Sequence, residues 1–546
     1  MKNNIFKGIL KWLISFVIIA VSYWFVLPPL NWRSRDFWSF LIWSVVIIVA
    51  INAFSQVFGF LKSTVNQKIK VDTKMSVNLS SLGTPIKIAG IGIAAVIVLG
   101  VVASIIGAEI FNAKAYNNLI TITDGDFAKD VAEINMDQIP IVDRDTASRL
   151  GQRKLGEMSD LVSQFEIQDI YTQINYRGKP VRVTPLQYGD IIKWLNNQKD
   201  GIPAYITVDM TTQETNLVRL EKGIKYAESE YFMRDLNRAL RFKYPTKIFG
   251  DISFEIDDDG TPYWVASTVD YKIGVWSGKD INGAVLLNAV TGESKYYTLS
   301  EIPTWVDQIF DSDLVIQQLV YNGKYHSGFW NSVFGQRGVL QPTDGYNYLA
   351  IDDDVYLYTG MTSVTSDESN VGFVLTNLRT KETKFYAIPG AEEYSAMSSA
   401  EGQVQHLKYS STFPLLLNVS NRPTYFVSLK DAAGLVKMYA FVDVNQYQIV
   451  GTGNSVEAAQ SDYISKLKTE NVSDNIKPDT VDGIIEKINS AVIDGNTIYY
   501  IKLEGNDSIY TAKVTVSDIL PFTENGASVT LTLNGKTITC YFINNT

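Results

Sequence analysis

Three apolar runs, residues 9–30, 37–61 and 88–110, occupy the start of the chain, and no run of comparable length follows them. Each exceeds the roughly 20 residues a helix needs to cross the hydrocarbon core of a bilayer. The pattern therefore predicts three membrane-spanning helices within residues 1–111. The first run begins among Lys2, Lys7 and Lys11 but ends in Trp24, Pro28 and Pro29 without a small-residue cleavage site. It reads as a retained anchor rather than a signal peptide. Lys62, Lys68, Lys70, Lys74 and Lys87 gather between the second and third runs. The positive-inside rule then puts the N-terminus and that loop in the cytoplasm, and everything after about residue 111 outside. In the third run Gly100 and Ser104, like Ala103 and Gly107, are small residues four apart. That spacing allows close helix packing, within the bundle or against another membrane protein. No ionisable residue sits at the centre of a run, which argues against a transporter or channel acting alone.

Beyond residue 111 the pattern changes to short alternating strands separated by amphipathic helices. Residues 283–297 (GAVLLNAVTGESKYY) recur as 372–386 (GFVLTNLRTKETKFY) at a constant shift of 89, with Asn288/Asn377, Thr291/Thr380, Glu293/Glu382 and Tyr297/Tyr386 matched. Each copy reads as an antiparallel hairpin around a polar turn. Gly178-Lys179-Pro180, Gly201-Ile202-Pro203 and Gly260-Thr261-Pro262 punctuate the chain before new strands. Helical spacing appears at Phe232, Leu236, Ala239, Leu240 and Lys243, over residues 303–319, and at Tyr394, Met397, Val404 and Leu407. Strands over 497–503, 508–516, 528–533 and 537–543 suggest a small β-barrel of OB or SH3 type.

The fold class expected is α+β: three N-terminal transmembrane helices, repeated helix-plus-antiparallel-hairpin modules, and the C-terminal barrel. The segments are an anchor at 1–111, an exterior module at 112–215, one repeat at 216–335, two more at 336–468, and the barrel at 483–546. The order of helix then hairpin, with Thr291-Gly292-Glu293 at the turn, resembles the PepSY module of bacterial exported proteins. The second copy departs from it at Thr380-Lys381-Glu382, and a third around 441–450 lacks the turn. Residues 171–186 (YTQINYRGKPVRVTPL) and 345–360 (GYNYLAIDDDVYLYTG) are similar to an uncharacterised group of Gram-positive bacterial membrane proteins. That resemblance implies a location in the cell envelope and no particular activity.

Composition narrows the chemistry. A formal charge of −10 with no basic face argues against nucleic acid as a partner. The lone Cys540 forms no internal disulfide, and only His326 and His406 could serve a histidine-dependent site. Neither lies in a zinc pattern, and no cofactor motif occurs. Asp257 and Asp259, with Asp352 and Asp354, are the metal candidates, because alternate strand residues share a face and calcium takes carboxylate ligands. A turn or solvated strand end explains the same residues. Trp305 and Trp330 are candidate contacts to sugars or a partner; burial in a core is their other reading. The function expected is a membrane-anchored, non-enzymatic surface scaffold or binding protein that engages an envelope protein partner. A carboxylate-based envelope hydrolase and a glycan-binding or phage-receptor-like protein are the alternatives.

Overall fold

The computed structural model describes residues 2–66, 84–133, 139–364, 369–469, 479–493, 496–506, 508–517, 519–534 and 537–543. Lys68, Lys70 and Lys74 lie outside the described residues, as does the side chain of Cys540. The chain divides into two compact units, one of residues 1–126 and 137–389, the other of 127–136 and 390–546.

The expectation of three spans is corrected. Among the described residues one helix, Ile9–Val26, is long and apolar enough to cross a membrane. The third apolar run breaks near Gly107 and turns by 54° into Glu109–Asn117. That second piece is part of the folded core: Tyr116 is buried against Tyr321 and Tyr325, and Asn117 exchanges side-chain-to-carbonyl hydrogen bonds with Asn322. The second run lies in a helix, Arg35–Asn66, whose side chains are described only to residue 51.

The small residues of the third run pack against a hairpin tip. A Cβ on Gly100 would lie 3.7 Å from the ring of Trp276, and one on Gly107 would collide with Ser277. Ser104 is exposed and donates its hydroxyl to the Gly100 carbonyl, 2.9 Å away.

Three helix-then-sheet modules make up most of the first unit. The first sets Arg144–Gly156 before an antiparallel sheet whose long strands are Lys179–Tyr188, Ile202–Asp209 and Thr215–Ile224. The second follows Leu236–Lys243 with a plain meander of Phe249–Ile256, Pro262–Ile273, Ser277–Asn288 and Ser294–Thr298. The third follows Ser312–Tyr325 with a sheet built on Asp354–Ser363, Ser369–Asn377 and Thr383–Tyr386, to which Ile122–Asp124 adds a parallel edge. Val265, Leu286, Val306, Phe310, Leu319, Val355 and Val374 interleave the second and third sheets in one core.

The repeat has a physical basis in one turn. Asn288 accepts the backbone N–H groups of Val290 and Thr291, and Asn377 accepts those of Arg379 and Thr380. The residue after the second donor has positive φ in both copies, +77° at Gly292 and +64° at Lys381. Glycine is required at 292, where any Cβ would strike the Tyr226 ring; at 381 the space is open to a lysine that reaches Asp280 at 2.6 Å. The first module contains the same turn, unforeseen from sequence: Asp209 accepts from Thr211 and Thr212, and Gln213 has φ +64°. Burial works against charge on Asp209, but its hydrogen bonds prevail and hold its carboxyl below the usual range. Asp209→Asn keeps an acceptor oxygen but loses the ionised form that these bonds favour and should cost about 0.5 kcal/mol, whereas Asp209→Ala removes the acceptor and should cost about 1 kcal/mol. Urea melts of both variants would check this; equal losses would mean the turn is not held by that oxygen.

The predicted helix over 303–319 begins later than the spacing suggests. Asp311 caps it by accepting from Leu314 at 2.8 Å, and the helix runs Ser312–Tyr325. Residues 303–311 form an irregular connector instead, because their polar groups are used elsewhere. The N–H groups of Ile309 and Phe310 donate to Leu378, and those of Asp307 and Gln308 donate to Glu255.

In the second unit, helix Glu393–Gln403 precedes a sheet of Arg422–Lys430, Val436–Asp443 and Val450–Gly453, closed by helix Val456–Thr469. Its buried Asp443 accepts from Arg422 and from the Tyr463 hydroxyl. The strands Asp479–Ile493, Asn496–Leu503, Ile509–Lys513, Ser528–Asn534 and Thr537–Ile543 form a separate closed barrel in that unit.

Candidate functional site

A cavity of about 530 Å³ opens where the three modules of the first unit meet. Its size falls within the range of small-molecule sites. One wall is the hairpin Thr172–Tyr176 and Lys179–Tyr188. The turn between them, Arg177 and Gly178 at φ +55° and +77°, has the two left-handed positions of a tight hairpin. The register so fixed sets Gln173 directly opposite Arg182. A slip of one residue would turn both to the other face.

Arg182 is the central residue of this wall. It is 6% exposed, and its guanidinium donates to the Tyr171 carbonyl and to Gln173 Oε1, each at 3.2 Å. No carboxylate pairs with it among the described residues, and its Nε has no partner. Burial lowers the Arg182 pKa to about 10, which still leaves it charged at neutral pH. Gln173, 2% exposed, keeps Nε2 unpaired beside it. Two buried donors in one wall, with no acceptor built for them, are an uncommon cost in a folded chain.

The opposite wall is acidic. Asp251 and Ser253 come from strand Phe249–Ile256, and Asp311, Ser312 and Asp313 from the start of helix Ser312–Tyr325. Burial raises the Asp251 pKa, and the charges of Asp311 and Asp313 raise it further. Lys279 approaches Asp311 at 3.7 Å, a partial offset. Tyr346 and Tyr348 line the same space, Tyr348 sharing a short hydrogen bond with Ser312. Burial pushes the Tyr171 hydroxyl up to about 12.

Behind this cavity the connector places two buried carboxyls together. Glu255 is fully buried and accepts from Asp307 N at 2.8 Å, Gln308 N at 3.1 Å and the Ser253 hydroxyl at 2.7 Å. Burial raises its pKa to about 7. Asp307 accepts the N–H of Asn175 at 2.7 Å, and its other oxygen lacks a partner. Burial first, and then the Glu255 charge, hold its carboxyl well above the ordinary range. Neither acid nor Arg182 was singled out from sequence, because one charged residue in a strand or helix pattern reads as solvent-facing. Segments 171–186 and 345–360 supply Tyr171, Gln173, Arg182, Tyr346 and Tyr348 to the cavity.

The residues chosen from sequence lie elsewhere. Asp257 accepts from the N–H groups of Asp259 and Thr261 and so closes its own turn, while Asp259 is exposed. Asp352 stands at φ +54° in the tight turn before strand Asp354–Ser363, and Asp354 is held by Arg379 at 2.6 Å and by Asn377. Among the described residues no group of three or more His, Cys, Asp or Glu could hold a metal ion. Trp305 is half-buried against Tyr263, with ring centroids 5.0 Å apart. Trp330 is exposed and stacks on Phe334 at 5.8 Å. His326 and His406 are both exposed.

No family model and no curated protein matches the chain. Among solved structures, similarity was found to dihydro-heme d1 dehydrogenase NirN in complex with DHE, at 8% identity, covering 68% of this chain and 49% of that one, with a TM-score of 0.12. A chimera of ACO and RPE65 is 10% identical, over 70% of this chain and 62% of that one, at a TM-score of 0.13. The chain spans less than two thirds of the length of either, and scores so low carry no argument about fold or function.

Proposed function

We propose that the chain is a membrane-anchored, non-enzymatic binding protein whose ligand is a small zwitterion or the end of a peptide, held in the cavity between the three modules. The observation that carries this reading is Arg182. A buried guanidinium without a carboxylate, beside the unpaired Gln173 amide, is a ready partner for a ligand carboxylate. The acidic wall of Asp251, Asp311 and Asp313 suits an ammonium group on the same ligand.

The placement proposed is the plasma membrane of a bacterium. Helix Ile9–Val26 crosses it, Lys2 and Lys7 stay in the cytoplasm, and the folded units lie outside. In support, the loop after that helix is tied to the second module: Leu30 N donates to Pro245 O at 2.7 Å, and Arg33 pairs with Asp270 at 2.8 Å. The modules are read as PepSY-like, each a helix followed by an antiparallel meander. An envelope protein partner is the second part of the reading, supported by Trp330 and Phe334, which leave 62% and 78% of their surface exposed.

Thermal shift of the full-length protein in nanodiscs, with free dipeptides and their N-acetylated and C-amidated forms, tests the ligand class. Free dipeptides at 100 times Kd should stabilise the protein by about 2.7 kcal/mol, and blocking either end should remove the shift. Equal responses to blocked and free forms would count against the cavity as a zwitterion site.

A further inference from the structure

The first module carries an apolar patch with no partner among the described residues. Ile191, Ile192 and Leu195 lie on the outward face of helix Ile191–Asn197, whose other face buries Trp194. Phe232 and Met233 follow from the adjacent turn, where Phe232 stands at φ +55° and leans on Trp194 at 6.1 Å. All five leave between 50% and 66% of their surface exposed. Isolated exposed apolar residues are ordinary; five together mark a contact surface.

The position of this patch selects its occupant. Phe25, at the end of the apolar helix Ile9–Val26, lines one cavity with Asp190, Tyr231 and Arg238, so helix end and patch are neighbours. Phe242, also exposed, contacts the rings of Tyr23 and Trp24 at 6.0 and 5.7 Å. Arg238 lies over the Trp24 ring at 4.6 Å. Apolar side chains are thus continuous from the helix end onto the module surface. Lys193 lies on the same helix as the patch, while the heads of Arg234, Arg238 and Lys243 donate to the carbonyls of Gln198, Phe232 and Ser294.

We infer that Ile191, Ile192, Leu195, Phe232 and Met233 insert into the headgroup region of the same bilayer that the first helix crosses, fixing the module's base against the membrane. This rests on the reading of Ile9–Val26 as an anchor. The experiment uses the full chain with Cys540→Ser, reconstituted in phosphatidylcholine/phosphatidylglycerol vesicles. Single cysteines at Phe16→Cys, Ile192→Cys, Phe232→Cys and, as a water-exposed control, Glu221→Cys carry an environment-sensitive fluorophore, and quenching by spin-labelled lipids is read. Matching thermal melts establish that each variant is folded.

The expected result is quenching at 16, 192 and 232 and none at 221. Quenching at 16 alone would overturn the inference while leaving the anchor intact. No quenching at 16 would remove the anchor and the inference with it. Quenching at 221 equal to that at 192 would also overturn it, because contact would then not be confined to the patch.

Discussion

Arg182→Met is expected to abolish ligand binding, by at least about 100-fold, and at the same time to make the empty protein more stable. The two effects have one cause. A guanidinium 6% exposed, with two 3.2 Å hydrogen bonds and no carboxylate, gives up most of its hydration for little return. Replacing such a group with an apolar side chain of similar length removes that penalty and typically gains about 1–3 kcal/mol. A ligand carboxylate supplies the missing partner in the wild type, and charge-assisted bonds of that kind, about 1.5–3 kcal/mol each, account for the affinity lost. Calorimetric titration and a melting curve on the same preparation measure both quantities. A less stable variant would mean that Arg182 is a structural residue and not a receptor for a ligand.

The second large effect is on pH dependence. Glu255 has its pKa raised by burial to about 7, and Asp307 is raised by burial and by Glu255. Groups raised on folding hold their proton better in the folded state. Their contribution to stability is therefore complete below the ordinary carboxylate range and is lost as pH rises through about 7. A rise from 4.5 to about 7 in one group corresponds to about 3 kcal/mol. Glu255→Gln keeps an oxygen for the Asp307 and Gln308 N–H groups and removes the carboxyl that titrates. The wild type should weaken between pH 5 and 8 by about 2–3 kcal/mol more than the variant does. Urea melts at the two pH values decide it, and parallel losses in both proteins would rule out the pair as the cause.

The parts of this fold that were legible from sequence are the ones set by local rules. The matched turns at Asn288 and Asn377 were visible because one side chain organises each turn through its own neighbours. The equivalent turn at Asp209 was overlooked because Asp and Gln replace Asn and the following Gly or Lys, although Thr212 and Glu214 preserve the Thr-x-Glu spacing. Hydrophobicity marks 88–110 as a membrane span, and it could not show that the run breaks and that Tyr116 draws the following chain into the core. The start of helix Ser312–Tyr325 was misplaced for a similar reason: Val306, Ile309 and Phe310 have helical spacing, yet they plug the core as a connector whose N–H groups are claimed by Glu255 and Leu378. Site residues were the least legible. Arg182 and Asp307 acquire meaning only from partners far away in the chain, or from the lack of one.

Strand Ile122–Asp124 pairs in parallel with Thr383–Phe385, and Arg241 donates to the carbonyl of Leu27, 214 residues earlier. During synthesis the early segments emerge long before their partners. The Pro-Pro loop must wait until the second module is made, and the three-residue strand until the third is complete. Contacts so distant form slowly and leave sheet edges open to wrong pairing. Truncations ending before residue 383 leave Ile122–Asp124 without the strand it pairs with, and should be cleared by proteolysis instead of accumulating.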